Sequence, residues 1–216
     1  MTTVSQLLDN ARQALSRGLG DDGLRLCDTA CALDPSNDKT WFEAGAQCWE
    51  YNRSLDAVRY LTRALQLNPQ HLEALRIRAM ALHDIGRYHE ALVDQTRYSL
   101  FDPFDATVKY SCGVTLRMME RERDSLREFT LALELNPSDS WTYCERGLAH
   151  IALRELAQAE SDAKRAIEVS PRVYRGHYCL ALVYSEKRRT EDAIKSISTA
   201  IECDPRVGYL YELLHP

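Results

Sequence analysis

Small and apolar residues return at fixed places along this chain, and a proline returns with them. Pro35, Pro69, Pro103, Pro137, Pro171 and Pro205 stand 34 residues apart, with no insertion or deletion between them. Counting each proline as position 32 divides the chain into repeats 4–37, 38–71, 72–105, 106–139, 140–173 and 174–207. Position 8 holds Ala11, Gly45, Ala79, Gly113, Gly147 and Ala181, and position 20 holds Gly23, Ala57, Ala91, Ser125, Ala159 and Ala193. All of these are small. Position 27 is alanine except at Tyr98, and position 30 is apolar throughout, from Leu33 and Leu67 to Val169 and Cys203.

A fixed period of this length marks a repeat architecture. The pattern predicts two helices in each repeat, helix A over positions 1–14 and helix B over positions 18–31. Small residues at positions 8 and 20 let the two helix axes approach closely. A large side chain there would overpack, at a cost of about 1–3 kcal/mol. The proline cannot continue helix B and disfavours helical geometry just before it. Asn37, Asp105 and Asp139 then stand where a side chain can cap the next helix A, whereas Val173 cannot. Gly18, Gly20 and Gly86 mark A–B turns, and the fourth repeat has no turn glycine. The tail repeats the opening of a helix A, so residues 208–216 are expected to form a partial capping helix through Tyr209, Leu210, Leu213 and Leu214. The expected fold is all-α, a single array over residues 1–216, least regular over Gln95 to Phe104.

These residues resemble the tetratricopeptide repeat, a helix–turn–helix of 34 residues. The second repeat is the nearest match, through Trp41, Gly45, Ala57, Leu61, Ala64 and Pro69. Departures are Ser125 for the usual alanine, Tyr98 for a small residue, and Arg78 and Arg146 where the family often has leucine. The resemblance implies a right-handed superhelical solenoid of about six repeats, with helices A lining its concave face. It also implies a scaffold that binds peptides or proteins and has no catalysis of its own.

Composition narrows the partners. The chain has 216 residues, a net charge of -5 and a pI near 5.7, which argues against the basic face of a nucleic-acid or anionic-membrane binder. Seven cysteines without tight spacing do not form a disulfide framework and fit a reducing compartment. The opening MTTVSQLLDNARQAL lacks the basic and apolar regions of a signal peptide, and no run is long enough to span a membrane. Cytoplasmic location is therefore the expectation. No HExxH, CxxC, GxSxG or phosphate-binding glycine loop occurs. Cys27 and Cys31 share a helical face, but no second pair completes a metal site, and Cys27 falls at a core position of the family. His150 is given a structural role. Acidic residues of helices B are assigned to a solvated outer face. No catalytic residue, metal or cofactor is expected.

The resemblance places positions 2, 5, 9, 12 and 13 on the concave face. Candidate partner-binding residues there are Phe42, Trp49, Arg76, Met80, His83, Tyr110, Val114, Arg117, Trp141, Leu148, Arg175 and Tyr178. Aromatic and arginine side chains are the types that most often anchor interfaces. Basic residues on this face are Arg12, Lys39, Arg76, Arg117 and Arg175, balanced by Glu50, Glu73, Asp84 and Glu186. Large side chains here can also simply fill space between helices A. The clamp by which tetratricopeptide cochaperones hold chaperone EEVD tails needs a set of Lys, Asn and Arg that no three consecutive repeats supply. The expectation is thus a protein or peptide partner, no EEVD tail, no nucleic acid and no membrane. The alternatives are self-association into a homo-oligomer, through the apolar tail or a repeat edge, and RNA binding, which net acidity disfavours.

Overall fold

A computed structural model describes residues 3–208. Each repeat contributes two helices: α1 (Val4–Ser16) and α2 (Gly20–Leu33), α3 (Asp38–Glu50) and α4 (Ser54–Leu67), α5 (Leu72–Asp84) and α6 (Tyr88–Phe101). The remaining three pairs are α7 (Ala106–Met118) and α8 (Glu122–Leu135), α9 (Ser140–Ala152) and α10 (Leu156–Val169), α11 (Tyr174–Glu186) and α12 (Thr190–Cys203). There is no strand among the described residues. Each helix stops one residue earlier in the repeat than the pattern predicts, and helix B also starts one earlier.

Local chemistry explains the ends. Asn37, Asp105 and Asp139 each accept from a free N–H at the start of the next helix A. Val173 makes no such bond. Two caps were not foreseen. Thr3 and Gln6 form a reciprocal capping box on α1, and His71 Nδ1 accepts from Ala74 N at 3.3 Å on α5. Every helix A ends the same way, with one residue in the left-handed region: Gly18, Asn52, Gly86, Glu120, Arg154 and Arg188. In the second repeat Asn52 N reaches Trp49 O and Arg53 N reaches Cys48 O, which satisfies the last free carbonyls. The turn is therefore imposed in all six repeats, although only two supply the glycine that suits it.

The small positions have a direct packing cause. A Cβ at Gly45 would lie 2.6 Å from Leu61 Cγ, and one at Gly113 would lie 2.5 Å from a ring carbon of Phe129. Leu61 and Phe129 are fully buried knobs of helix B that fill the space a side chain at position 8 would take.

The chain divides into two compact units, Met1–Pro103 and Phe104–Pro216. In the N-terminal unit the core holds Leu8, Cys27, Cys48, Tyr60, Leu61 and Leu75. Tyr60 donates its hydroxyl hydrogen to Asp28 at 2.8 Å, and the Arg59 guanidinium lies 4.4 Å from its ring centre. In the C-terminal unit Ala163, Cys179 and Leu180 pack with Leu148, Ile151, Ile167 and Tyr184. Ala181 and Ile197 pack with Val207, Tyr174 and Tyr178. Residues 205–208 form a short turn whose Val207 covers the last helix pair. Tyr209, Leu210, Leu213 and Leu214, named as the cap, lie outside the described residues.

The two arginines that replace a family leucine belong to the interior. Arg78 grips Asp94 through Nε and Nη2 at 2.7 Å each, and donates to Thr62 at 3.1 Å. Arg146 grips Asp162 at 2.8 and 2.7 Å and donates to Thr130 at 3.3 Å. Asp94 is only 1% exposed. The assignment of helix-B acids to a solvated face is thus corrected for Asp94 and Asp162, because each is buried and held by a bidentate arginine of the preceding helix A. Such fork-to-fork bonds are the strong form of an ion pair.

Candidate functional site

The candidate residues sit on the helices A of each unit. In the N-terminal unit, Arg12 of α1, Lys39, Phe42, Glu43 and Ala46 of α3, and His71 line a cleft of about 470 Å³. The Phe42 and His71 rings stack with centres 4.5 Å apart. Arg12 lies 3.6 Å from Glu43, and both are half exposed. Trp49 is anchored at its edge, since its indole N–H donates to Asp84 at 3.0 Å and the Ser54 hydroxyl donates to the same oxygen at 3.1 Å. Arg76 is occupied by Glu73 at 2.6 Å and touches the Met80 sulfur. His83 meets Tyr88 edge to face at 5.1 Å.

In the C-terminal unit, Glu145 of α9 is 2% exposed and lies between two candidates. Arg117 of α7 donates to it from Nε at 3.0 Å, and Arg175 of α11 bonds its other oxygen. A buried carboxylate is costly unless paired, and two guanidinium groups meet that need here. Arg175 also lies 5.3 Å from the ring centre of Trp141, which is 45% exposed and meets Tyr174 edge to face. Tyr110 leans on Phe129, with ring centres 6.2 Å apart. Burial, with the Glu145 charge second, pushes its hydroxyl up to about 12. Val114 is half buried. Leu148 and Tyr178 pack against core clusters.

Sequence reasoning missed Glu145, His71 and Glu43 as parts of these surfaces. Glu145 and Glu43 occupy position 6, which the concave-face positions leave out, and His71 closes its repeat just before a helix. The available signal for Glu145 was its place among Trp141, Leu148 and Ala149 at helical spacing.

Six of the seven cysteines are buried, and none is in a disulfide. Cys31, Cys112 and Cys144 have their thiols pushed up to about 12 by burial. Cys27 and Cys48 are fully buried in the core. His150 bonds Glu155 at 2.7 Å and lies 3.9 Å from Asp162. No cluster of three metal-ligating side chains occurs among the described residues. No helix among them is long and apolar enough to cross a membrane.

Comparison with known proteins agrees with this geometry. The chain is 22% identical over 183 residues to a DnaJ homolog subfamily C member 7 homolog of Schizosaccharomyces pombe, covering 76% of this chain but 38% of that protein. It spans 34% of the length of the E3 ubiquitin-protein ligase CHIP of Arabidopsis thaliana, at 25% identity over 96 residues. Among solved structures it is similar to MamA of Desulfovibrio magneticus RS-1, with a TM-score of 0.71 and 19% identity over 78% of this chain and 96% of that one. The tetratricopeptide repeat family profile matches residues 49–105 and 144–207, more than half of the chain. With the 34-residue period and paired helices, that match establishes that the chain belongs to the tetratricopeptide repeat family, whose members are protein-interaction scaffolds.

Proposed function

We propose that this chain is an adaptor that holds a segment of a partner protein on the helix-A faces of its units, with no catalysis of its own. The supporting observation is Trp141. It is large, aromatic and nearly half exposed, yet held in place by Tyr174 and the Arg175 guanidinium. An ordered, accessible aromatic supplies contact area at low entropic cost, the property expected of an interface anchor. Tyr110, beside the same arginine–glutamate group, extends that surface. The test is affinity capture from the native cell with Trp141→Ala and Tyr110→Ala together. Partner recovery falls while the circular dichroism stays helical; unchanged recovery removes this assignment.

Self-association is the second reading, and α6 favours it. Val93 and Leu100 lie seven residues apart on one face of that helix, 58% and 78% exposed. Light scattering at rising concentration tests it, and a monomer throughout excludes it.

A further inference from the structure

We propose that the cleft of the N-terminal unit receives a glutamate side chain from within a partner segment. Its carboxylate lies on Lys39 and its methylenes on the Phe42–His71 wall. This rests on the adaptor reading above and names the chemistry of one contact.

Charge carries the argument. Of the five basic residues on the helix-A faces, four have carboxylates from this chain. Arg76 holds Glu73, Arg117 and Arg175 hold Glu145, and Arg12 approaches Glu43. Lys39 has no ion-pair partner among the described residues, and it borders the cleft. Arg12 and Lys39 set against Glu43 leave one positive charge there, which one carboxylate balances. His71 adds a donor. Its Nδ1 accepts from Ala74 N, so the neutral ring carries its proton on Nε2. The stacked rings of Phe42 and His71 give an apolar wall for the stem of the guest side chain, and Ala46 leaves the adjacent lining short. Ala46 also offers no donor to hold the main chain of a terminus, which favours a side-chain acid over a terminal carboxylate.

The test uses the full chain and three N-acetylated peptides, the first two also amidated, followed by amide NMR shifts. The first probe is acetyl-Ala-Leu-Glu-Leu-Ala-amide, the second carries Gln for Glu, and the third carries Gln and a free C-terminal carboxylate. The Glu probe shifts the amides around Lys39, Phe42 and His71 with a dissociation constant of about 1 mM. It binds about three- to fivefold more tightly than the Gln probe, a difference that shrinks in high salt and vanishes in Lys39→Gln. Equal binding of the Glu and Gln probes overturns the proposal. So does a stronger response to the free terminus, or no shift with the Glu probe up to about 10 mM. The adaptor reading is judged separately. If Trp141→Ala loses the partner while the Glu probe is silent, only the carboxylate contact falls; if neither responds, both fall.

Discussion

In the N-terminal unit Lys39 borders an open cleft and has no ion-pair partner among the described residues. In the C-terminal unit Arg117 and Arg175 both close on Glu145. Both faces are built from helices A in the same 34-residue frame. What differs is the burial of the same glutamate at position 6: Glu43 is half exposed and shared loosely with Arg12, whereas Glu145 is buried. Once buried, a carboxylate must recruit cations, so it spends the charges that a partner would otherwise use. A count of arginines on a face therefore overstates its affinity for acids unless their own partners are known. The interiors, by contrast, agree: Arg78–Asp94–Thr62 and Arg146–Asp162–Thr130 are the same arrangement two repeats apart.

The largest effect should come from breaking that shared interior. Asp94→Ala strands Arg78 and costs about 3 kcal/mol, and Asp162→Ala costs less, since Arg146 is slightly more exposed. Denaturant titration measures both. Replacing Arg78 and Asp94 together by Met and Leu should return stability to within about 1 kcal/mol of the parent. Equal losses at the two sites would mean that this small difference in exposure does not matter.

Next in size is Gly113→Ala, at about 2 kcal/mol, because the added methyl meets the rigid, fully buried Phe129 ring. Gly45→Ala should cost nearer 1 kcal/mol, since Leu61 can shift by rotation. Adding Phe129→Leu should recover most of the Gly113→Ala loss.

Glu145→Gln attacks the contrast directly. It should lower stability by about 1–2 kcal/mol, as two partly exposed guanidinium groups lose their acid. The freed arginines should then give the C-terminal unit a response to acidic peptides that the parent lacks, read from amide shifts around Trp141.

The smallest effect is on acid stability. Lys164 and then Lys187 bond Glu160, holding its carboxyl at about 2, below the usual 4.5. A depressed carboxyl stabilises the fold above its unfolded value and loses that contribution as pH falls from about 4.5 toward 2. Thermal melts across this window should show a weaker decline in Glu160→Gln than in the parent.

Much of the fold was legible from position 8, position 20 and the prolines, because close packing and proline sterics act on single residues at fixed places. The caps at Asn37, Asp105 and Asp139 were legible for the same reason. The left-handed residues Asn52, Glu120, Arg154 and Arg188 were not, because the packing of each helix pair imposes a turn that their side chains do not advertise. The division between units falls after Pro103, within the stretch from Gln95 to Phe104 that departs from the pattern, just beyond Tyr98 at a position otherwise alanine. Of the candidate residues, Trp49, Arg76, Arg117 and Arg175 were placed on the right helices, but their partners were not foreseen.

By itself the sequence determined the period, the all-α class and the helix on which each side chain sits. These follow from residue size, proline geometry and helical spacing, which are local. The tertiary structure decided which charges remain available. Arg78 finds Asp94 across 16 residues, Arg117 finds Glu145 across 28 and Trp49 finds Asp84 across 35, while Lys39 finds no acid among the described residues. Such pairings depend on the packing of neighbouring helices and on burial, which raises the cost of an unpaired charge. Neither is written in the order of residues along one helix.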